Sequence, residues 1–498
     1  MIIDSCLYND KNKHDADFVI VGGGLCGLFL SQILKGSNKK IIIIEKGDEY
    51  LNLLNEKRSL NIGVKHNGSQ NEEGFQVGGN SNLWGGQLSE FQEIDINKNF
   101  WGLSYNELKK LYKDTYKLFD IHTVDDPTFL NQDNIISNKN VKRFFNYFLK
   151  NPKIFDLYNK ELKNSKNIKL LKNLTAYDLI FENEKATQIN CLSRNGKKLF
   201  IKSKFYIFCL GAIENSRFFL SLKNSAKSSP IKNNRFIGNF FQDHIGITTG
   251  KIQIKLKKKF RNFFEYGFYK KIRYVPKLKN NSLNIGICAE LITKSKFNNT
   301  LDDWNNLFKT KNIPDIKKLL MKTSNLPKKY IEQYFYQIIN NRCKSFFDDG
   351  VSLYIQSEQI PLYESKITIN KELLRDGLNK VNIDWNIHGD ELREIKKFSY
   401  AINEFLKNND IGNIDFSNNI NNFETFKNDL KDTNHPSGGL IISKDKDNGV
   451  CDSNFKVWNT ENVYINGSSL FPNSSYANVT LTVLALTLKI GRYLKKII

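Results

Sequence analysis

His435 stands in the run His435-Pro436-Ser437-Gly438-Gly439, and further on Asn478 opens an apolar stretch that predicts a helix through Leu494. An imidazole with an ordinary pKa near 6.5 takes up and returns protons around neutral pH, so His435 is a candidate general base. Beside Pro and Gly a histidine is equally at home as a turn residue. A carboxamide at a helix start either caps the helix or turns toward a ligand, and the free N–H groups behind it suit a developing anion.

A second spacing lies near the amino terminus. Gly22, Gly24 and Gly27 spell G-x-G-x-x-G directly after the apolar run Phe18-Val19-Ile20-Val21. Leu28–Leu34 then reads as a helix and Ile41–Ile44 as a second strand ending at Glu45, the acid expected about 20 residues on to hydrogen-bond a ribose hydroxyl. Gly22 allows the tight turn, Gly24 lets backbone approach a pyrophosphate, and Gly27 lets helix and strand pack closely. The helix start supplies N–H groups and positive dipole to the phosphates. The pattern predicts a dinucleotide site and does not separate FAD from NAD.

The loop Gln76–Gly86 packs Gly78, Gly79, Gly85 and Gly86, together with Asn80, Ser81 and Asn82, around Trp84. Such a loop brings backbone close to a large flat ligand, and a tryptophan in it wants burial against something. Strand-like runs at Lys169–Leu171, Ala176–Phe181 and Thr187–Leu192 precede Phe205–Phe208, which runs into Cys209-Leu210-Gly211-Ala212 and a helix start. This predicts a return of the chain to the sheet begun at Phe18. Ile237–His244 follows, and near the end come the strand-like Val463–Ile465, Asn466-Gly467-Ser468-Ser469 and Tyr476–Thr480. In between, Ser352–Ser357, Lys366–Asn370 and Lys380–Trp385 look like successive strands of an inserted region with no nucleotide motif.

Taken in order, these stretches resemble the glucose-methanol-choline (GMC) flavoprotein oxidoreductases, nearer to pyranose oxidase-like and bacterial sugar dehydrogenase-like members. The resemblance implies an α/β fold with a discontinuous Rossmann-like FAD-binding domain (15–100, 165–250 and 430–498) and an inserted α+β substrate or cap domain on an antiparallel sheet (101–164 and 251–429). It implies FAD as cofactor, held by Gly22, Gly24, Gly27, Glu45, the loop residues Gly78 to Asn82, Trp84 and Gly85. Ala176, Gly211, Gly467, Ser468, Asn478 and Thr480 complete that set. It implies oxidation of a CH–OH group to a carbonyl by hydride transfer to the flavin, a dehydrogenase rather than an oxidase, with His435 as base, Asn478 orienting the substrate oxygen, and an external electron acceptor. His244 matches a family position with a structural role. His14, His66, His122 and His388 stand in no such motif and read as surface or packing residues.

Several residues depart from the family's pattern. Leu83 stands where some relatives tether FAD through a histidine, so non-covalent FAD is expected. Val479 replaces the proline that often follows Asn478, Gly467 stands where many members carry an acid, and Gly439–Ile442 lacks the usual Thr-x-x-Met.

The chain of 498 residues, 40% hydrophobic, is long enough for two to four packed domains and is not a disordered polymer. Its formal charge of +22 favours anionic surroundings, but lysine is spread through every segment, so charge alone names no partner. Lys255–Tyr274 and Trp304–Phe347 interleave basic and aromatic residues. They read either as an edge strand with amphipathic helices covering the core, or as a membrane-surface or RNA contact. The alternative functions are therefore a flavin-fold protein acting in assembly, or a peripheral membrane or RNA-binding protein using this insert. Membrane-surface contact is kept as an expectation; nucleic acid is not expected. Seven cysteines without metal or disulfide spacing, no basic leader and no apolar run of spanning length lead to a cytoplasmic expectation, without a metal site.

Overall fold

The computed structural model describes residues 1–49, 57–71, 74–121, 140–149, 151–225, 229–269, 272–280, 282–293, 342–343 and 350–498. Phe18–Val21 and Ile41–Ile44 are almost fully buried, as apolar runs must be in parallel strands covered on both faces. They form the middle of an eight-stranded sheet in the order Ile2–Asp4, Ile168–Lys172, Ile41–Ile44, Asn12–Val21, Lys198–Phe208, Lys185–Ser193, Leu174–Glu182. Val463–Ile465 adds in parallel beside Lys198–Phe208. The expected return of the chain to its first sheet is thus present.

Two strands are longer than their apolar runs. The opening strand begins at Asn12 and its partner at Lys198, because Asn12–Ala16 pairs in register with Leu199–Ser203. There only alternate residues, such as Leu199 and Ile201, are buried. The polar halves are carried by ladder hydrogen bonds rather than by a core on both faces.

A second, ten-stranded sheet takes Ile245–Ile254, Val351–Ser357, Ile287–Thr293 and Ile272–Lys279 as neighbours, all antiparallel. Only the first of the three strands expected together in the insert lies here. Lys366–Leu373 and Asn379–Asp384 instead form a hairpin whose second strand pairs in parallel with Ser59–Asn61, a separate three-stranded sheet. The partner comes from a segment so distant that no local pattern could announce it.

The basic helix Lys257–Phe264 turns Phe260, Phe263 and Phe264 inward, and Phe263 packs on Phe405 of the helix Asp390–Asn408. These rings belong to the core, which leaves this helix no apolar face for a membrane contact; a helix stands where an edge strand was expected, and the strands Tyr266–Tyr269 and Ile272–Lys279 follow it. Trp304–Phe347 lies outside the described residues except for the short strand Arg342–Cys343. No helix among the described residues is long and apolar enough to cross a membrane. The six cysteines whose side chains are described are unpaired.

Candidate active site

The strand Asn12–Val21 ends in a glycine turn and the helix Leu25–Lys35 begins at once, capped by Gly24 without any side-chain hydrogen bond. Its first N–H groups are therefore left for a ligand. A Cβ on Gly27 would lie 1.9 Å from the Gly22 carbonyl oxygen, so only glycine lets the helix rest on the turn. Two more helices, Gly211–Ser225 and Val479–Lys496, start at the same place.

Their starts border a cavity of about 520 Å³, a size suited to a cofactor. Its wall takes Gly22, Gly24 and Glu45 from the fingerprint, and Gly79, Asn80, Ser81, Trp84 and Gly85 from the tryptophan loop. Ala176, Gly211, Gly467, Ser468 and Thr480 line it too, as do His435 and Asn478. Three expected residues stand behind the wall. Gly27 serves the packing just described, Gly78 donates its N–H to the Gly23 carbonyl, and Asn82 donates from Nδ2 to the Val77 carbonyl. They shape the loop and turn rather than face the cavity.

Glu45 lies at the strand tip as expected, yet its oxygens accept the N–H groups of Gly23 (2.8 Å) and Gly47 (2.7 Å). Burial pushes its pKa up to about 7. Beside it an ion cluster went unforeseen: Arg217 meets Glu214 at 2.7 Å and Arg58 meets Asp376 at 2.9 Å, while Lys46 also pairs with Asp376. Lys46, Glu214 and Arg217 line the cavity. Phe75 lies under both Lys46 and Arg58. Of these only Glu214 and Arg217 stood within a motif, the helix start after Gly211.

Trp84, half-buried in the cavity wall, donates from Nε1 to the Pro152 carbonyl at 2.9 Å. This indole is therefore fixed in orientation.

His435 is held by three distant segments. Gln242 and Ser437 exchange N–H···O bonds in both directions (2.9 and 2.8 Å), Gly438 donates to the Ser468 carbonyl, and the Ser468 hydroxyl donates to the Pro436 carbonyl. Gly438 has φ +73° and sits so close to the Phe240 carbonyl that a Cβ would overlap it at 1.9 Å. The Asn478 side chain makes no cap bond. Its Nδ2 lies 2.7 Å from His435 Nε2. Of the two possibilities open to that carboxamide, the structure takes the turn toward the cavity.

The His244 ring stacks on His435 with centroids 4.9 Å apart, and its Nε2 meets the Ser474 carbonyl oxygen at 3.1 Å. Burial and the neighbouring imidazole push its pKa down to about 3, so it stays neutral. Loss of hydration likewise lowers the pKa of His435, against the pull of Asp243. His66, read from sequence only as surface or packing, is fully buried and meets Asp243 at 3.1 Å. No motif surrounds it in the sequence.

The three helix starts bordering the cavity, the glycine backbone and the cavity volume fit a dinucleotide.

Residues 361–487 match the family model described as GMC oxidoreductase. No curated protein matches the sequence. Among solved structures, the chain is similar over 96% of its length, and 98% of the other's, to pyridoxine 4-oxidase from Mesorbium loti, with 14% identity and a TM-score of 0.64. A variant of Aspergillus oryzae RIB40 formate oxidase, studied for its FAD modification, is similar at 14% identity and TM-score 0.62, covering 98% of this chain and 99% of that one. A further formate oxidase structure gives 13% and 0.59 with the same coverage. The carboxy-terminal stretch thus matches the GMC oxidoreductase family model, and the fold is similar to these oxidases along the length of the chain.

Proposed function

We propose that this oxidoreductase converts the CH–OH group of an alcohol or carbohydrate to a carbonyl, with His435 accepting the hydroxyl proton at Nε2 and Asn478 holding the hydroxyl oxygen. The observation that carries this reading is the 2.7 Å contact between Asn478 Nδ2 and His435 Nε2 in the cavity wall. One donor and one acceptor so close converge on a single point. A hydroxyl entering there draws the Asn478 N–H from Nε2 to its own oxygen and gives its proton to the Nε2 lone pair so released, the arrangement a base and an orienting donor require.

The fingerprint turn, the tryptophan loop and the three helix starts would hold FAD, which when bound would supply the acceptor for the carbinol hydride. We assign its contacts to Gly22, Gly24, Glu45, Gly79, Asn80, Ser81, Trp84, Gly85, Ala176, Gly211, Gly467, Ser468, Asn478 and Thr480, all of which face the cavity. Leu83 offers no nucleophilic atom, which supports non-covalent binding. The FAD-binding domain is assigned to 15–100, 165–250 and 430–498 and the cap to 101–164 and 251–429. The first sheet's draw on 12–21, 41–44, 168–208 and 463–465 supports this division, while its edge strand Ile2–Asp4 lies before the first assigned segment. For the electron acceptor, the similar structures are oxidases, which favours oxygen over the dehydrogenase reaction expected from sequence; oxygen uptake measured beside dye reduction separates the two.

The test is anaerobic mixing of the yellow protein with a panel of sugars and polyols, following flavin bleaching. His435→Ala is expected to keep FAD and to slow bleaching by the best substrate ~10²–10⁴-fold. Unchanged bleaching removes His435 from the chemistry.

A further inference from the structure

The loop before His435 wraps a single buried carboxylate. Asp243 Oδ1 accepts the N–H groups of Thr433 (3.2 Å) and His435 (3.1 Å) and lies 3.3 Å from the Thr433 hydroxyl. The same hydroxyl lies 2.9 Å from His435 Nδ1. Asp243, Thr433 and the imidazole therefore form a chain that ends, on the far nitrogen, at Asn478.

The proton positions along this chain follow from what each group can donate. Asn478 Nδ2 only donates, so His435 Nε2 must accept. A neutral imidazole has one accepting nitrogen, so Nδ1 carries the proton and donates to Thr433 Oγ1. A hydroxyl has one proton, and with its lone pair engaged by Nδ1–H it donates that proton to Asp243. The carboxylate is fixed from behind as well. His66 Nδ1 accepts the Ser69 N–H at 3.1 Å, which puts the His66 proton on Nε2, where it is donated to Asp243 Oδ2 at 3.1 Å.

His66, Asp243 and Asp432 also have ligand atoms within 4.8 Å of one another. Asp432 accepts the N–H groups of Asn67 and Gly68, and the His66 nitrogens are engaged as above. The cluster is thus read as a hydrogen-bonded brace.

We propose that Thr433 is a positioning residue that relays the Asp243 carboxylate to His435 Nδ1, locking the imidazole in the tautomer whose Nε2 lone pair faces the cavity. The proposal rests on the reading of His435 as base and adds what keeps that base in its working form. Although burial opposes it, the His66 hydrogen bond holds Asp243 below the usual carboxylate range, so the end of the relay stays ionised. An imidazole free to rotate or exchange tautomers would present N–H to the substrate hydroxyl in part of the population and could not take its proton there.

The experiment uses FAD-loaded protein with ¹⁵N-labelled histidine, whose ring nitrogens report tautomer directly; loss of a signal pair in His435→Ala assigns the residue. The wild type is expected to show His435 protonated at Nδ1 only. Thr433→Val, similar in shape but without the hydroxyl, is expected to give a mixed tautomer and to slow flavin bleaching ~10–10²-fold. Thr433→Ser is expected to restore both. A wild-type His435 protonated at Nε2, or a Thr433→Val protein with an unchanged tautomer, overturns the relay. A shifted tautomer with undiminished bleaching supports the relay and removes His435 as the base, so the two readings fail separately. Because the wild-type spectrum alone can refute the proposal, failure of a variant to fold does not protect it.

Discussion

Replacing Asn478 by Asp changes only what the side chain can do at one short contact. The amide nitrogen, 2.7 Å from His435 Nε2, becomes a carboxylate oxygen, which can accept but not donate. The ring must then bring a proton to Nε2. An opposite charge this close raises an imidazole pKa by about one to three, or ~1.4–4 kcal/mol in favour of the imidazolium. In the wild type loss of hydration holds the His435 pKa below its ordinary value, and in Asn478→Asp the new carboxylate should raise it. Fewer sites then keep a free Nε2 lone pair at neutral pH, and more regain it as the pH rises. The substrate oxygen also loses its N–H donor, a further ~10–10²-fold. Anaerobic stopped-flow bleaching should thus be slowed by more than the ~10–10²-fold of the lost donor at neutral pH and recover in part as the pH rises. Asn478→Ala removes the donor without adding charge and should keep the wild-type pH profile at a lower rate. Both variants should fold, because Asn478 makes no side-chain cap bond and Asp is a good helix cap. Parallel pH profiles for the Asp and Ala variants would refute the assignment of Nε2 as the proton acceptor.

Gly27→Ala places a methyl 1.9 Å from the Gly22 carbonyl oxygen, and backbone must move on one side or the other. A cost of about 1–3 kcal/mol is expected, read as a lower melting temperature and a lower flavin-to-protein absorbance ratio, with full flavin content as the contrary result. Burial pushes Glu45 and Asp95 up to about 7 and Glu391 up to about 8. A raised folded-state pKa gives stability that is whole below the unfolded value and lost as pH climbs through the folded one, at up to about 1.4 kcal/mol per pH unit per group. His14, His244 and His435, with lowered pKa values, act in the opposite sense below about 6.5, and the Met1 amino group, lowered by burial, offsets part of the fall up to about 8. Between pH 6.5 and 8 the melting temperature of FAD-free protein should therefore fall, and Glu391→Gln should flatten the slope; a rise across that window in the wild type would contradict the assignment of these acids.

The parts of the site that could be read from the sequence are those whose chemistry is written locally. A tight turn, a backbone approach and a helix start each demand a residue type within a few positions, so Gly22, Gly24 and Gly27 announced themselves, as did the strand ends around them. Gly27, Gly78 and Asn82 were grouped with the cavity because spacing gives proximity to a turn but not the direction a residue faces. The hairpin Lys366–Asp384 read as two strands but not as the neighbour of Ser59–Asn61, since parallel pairing across such a separation leaves no mark in either segment. The aromatic residues of Lys257–Phe264 read as an edge strand or as a contact surface, and neither reading showed the helix that turns Phe260, Phe263 and Phe264 into the core.

The residues around His435 show why the rest stayed hidden. His66 and Asp243 meet across 177 positions of sequence, and neither residue type is unusual where it stands. Thr433 sits in an irregular loop where a hydroxyl commonly serves only a turn. Its consequence arises only when the short strand Lys431–Asp432 pairs with Ile245–Gly246 and so lays the loop over the Asp243 carboxylate. The same pairing brings the His435 N–H to that carboxylate, while Val479–Lys496 carries Asn478 to the opposite side of the ring. Orientation of the imidazole is therefore a property of sheet registry, set where the second sheet meets the nucleotide cavity. Motif residues alone, grafted without that registry, would leave His435 free to present either nitrogen, and the base would be lost although every residue of its motif was present.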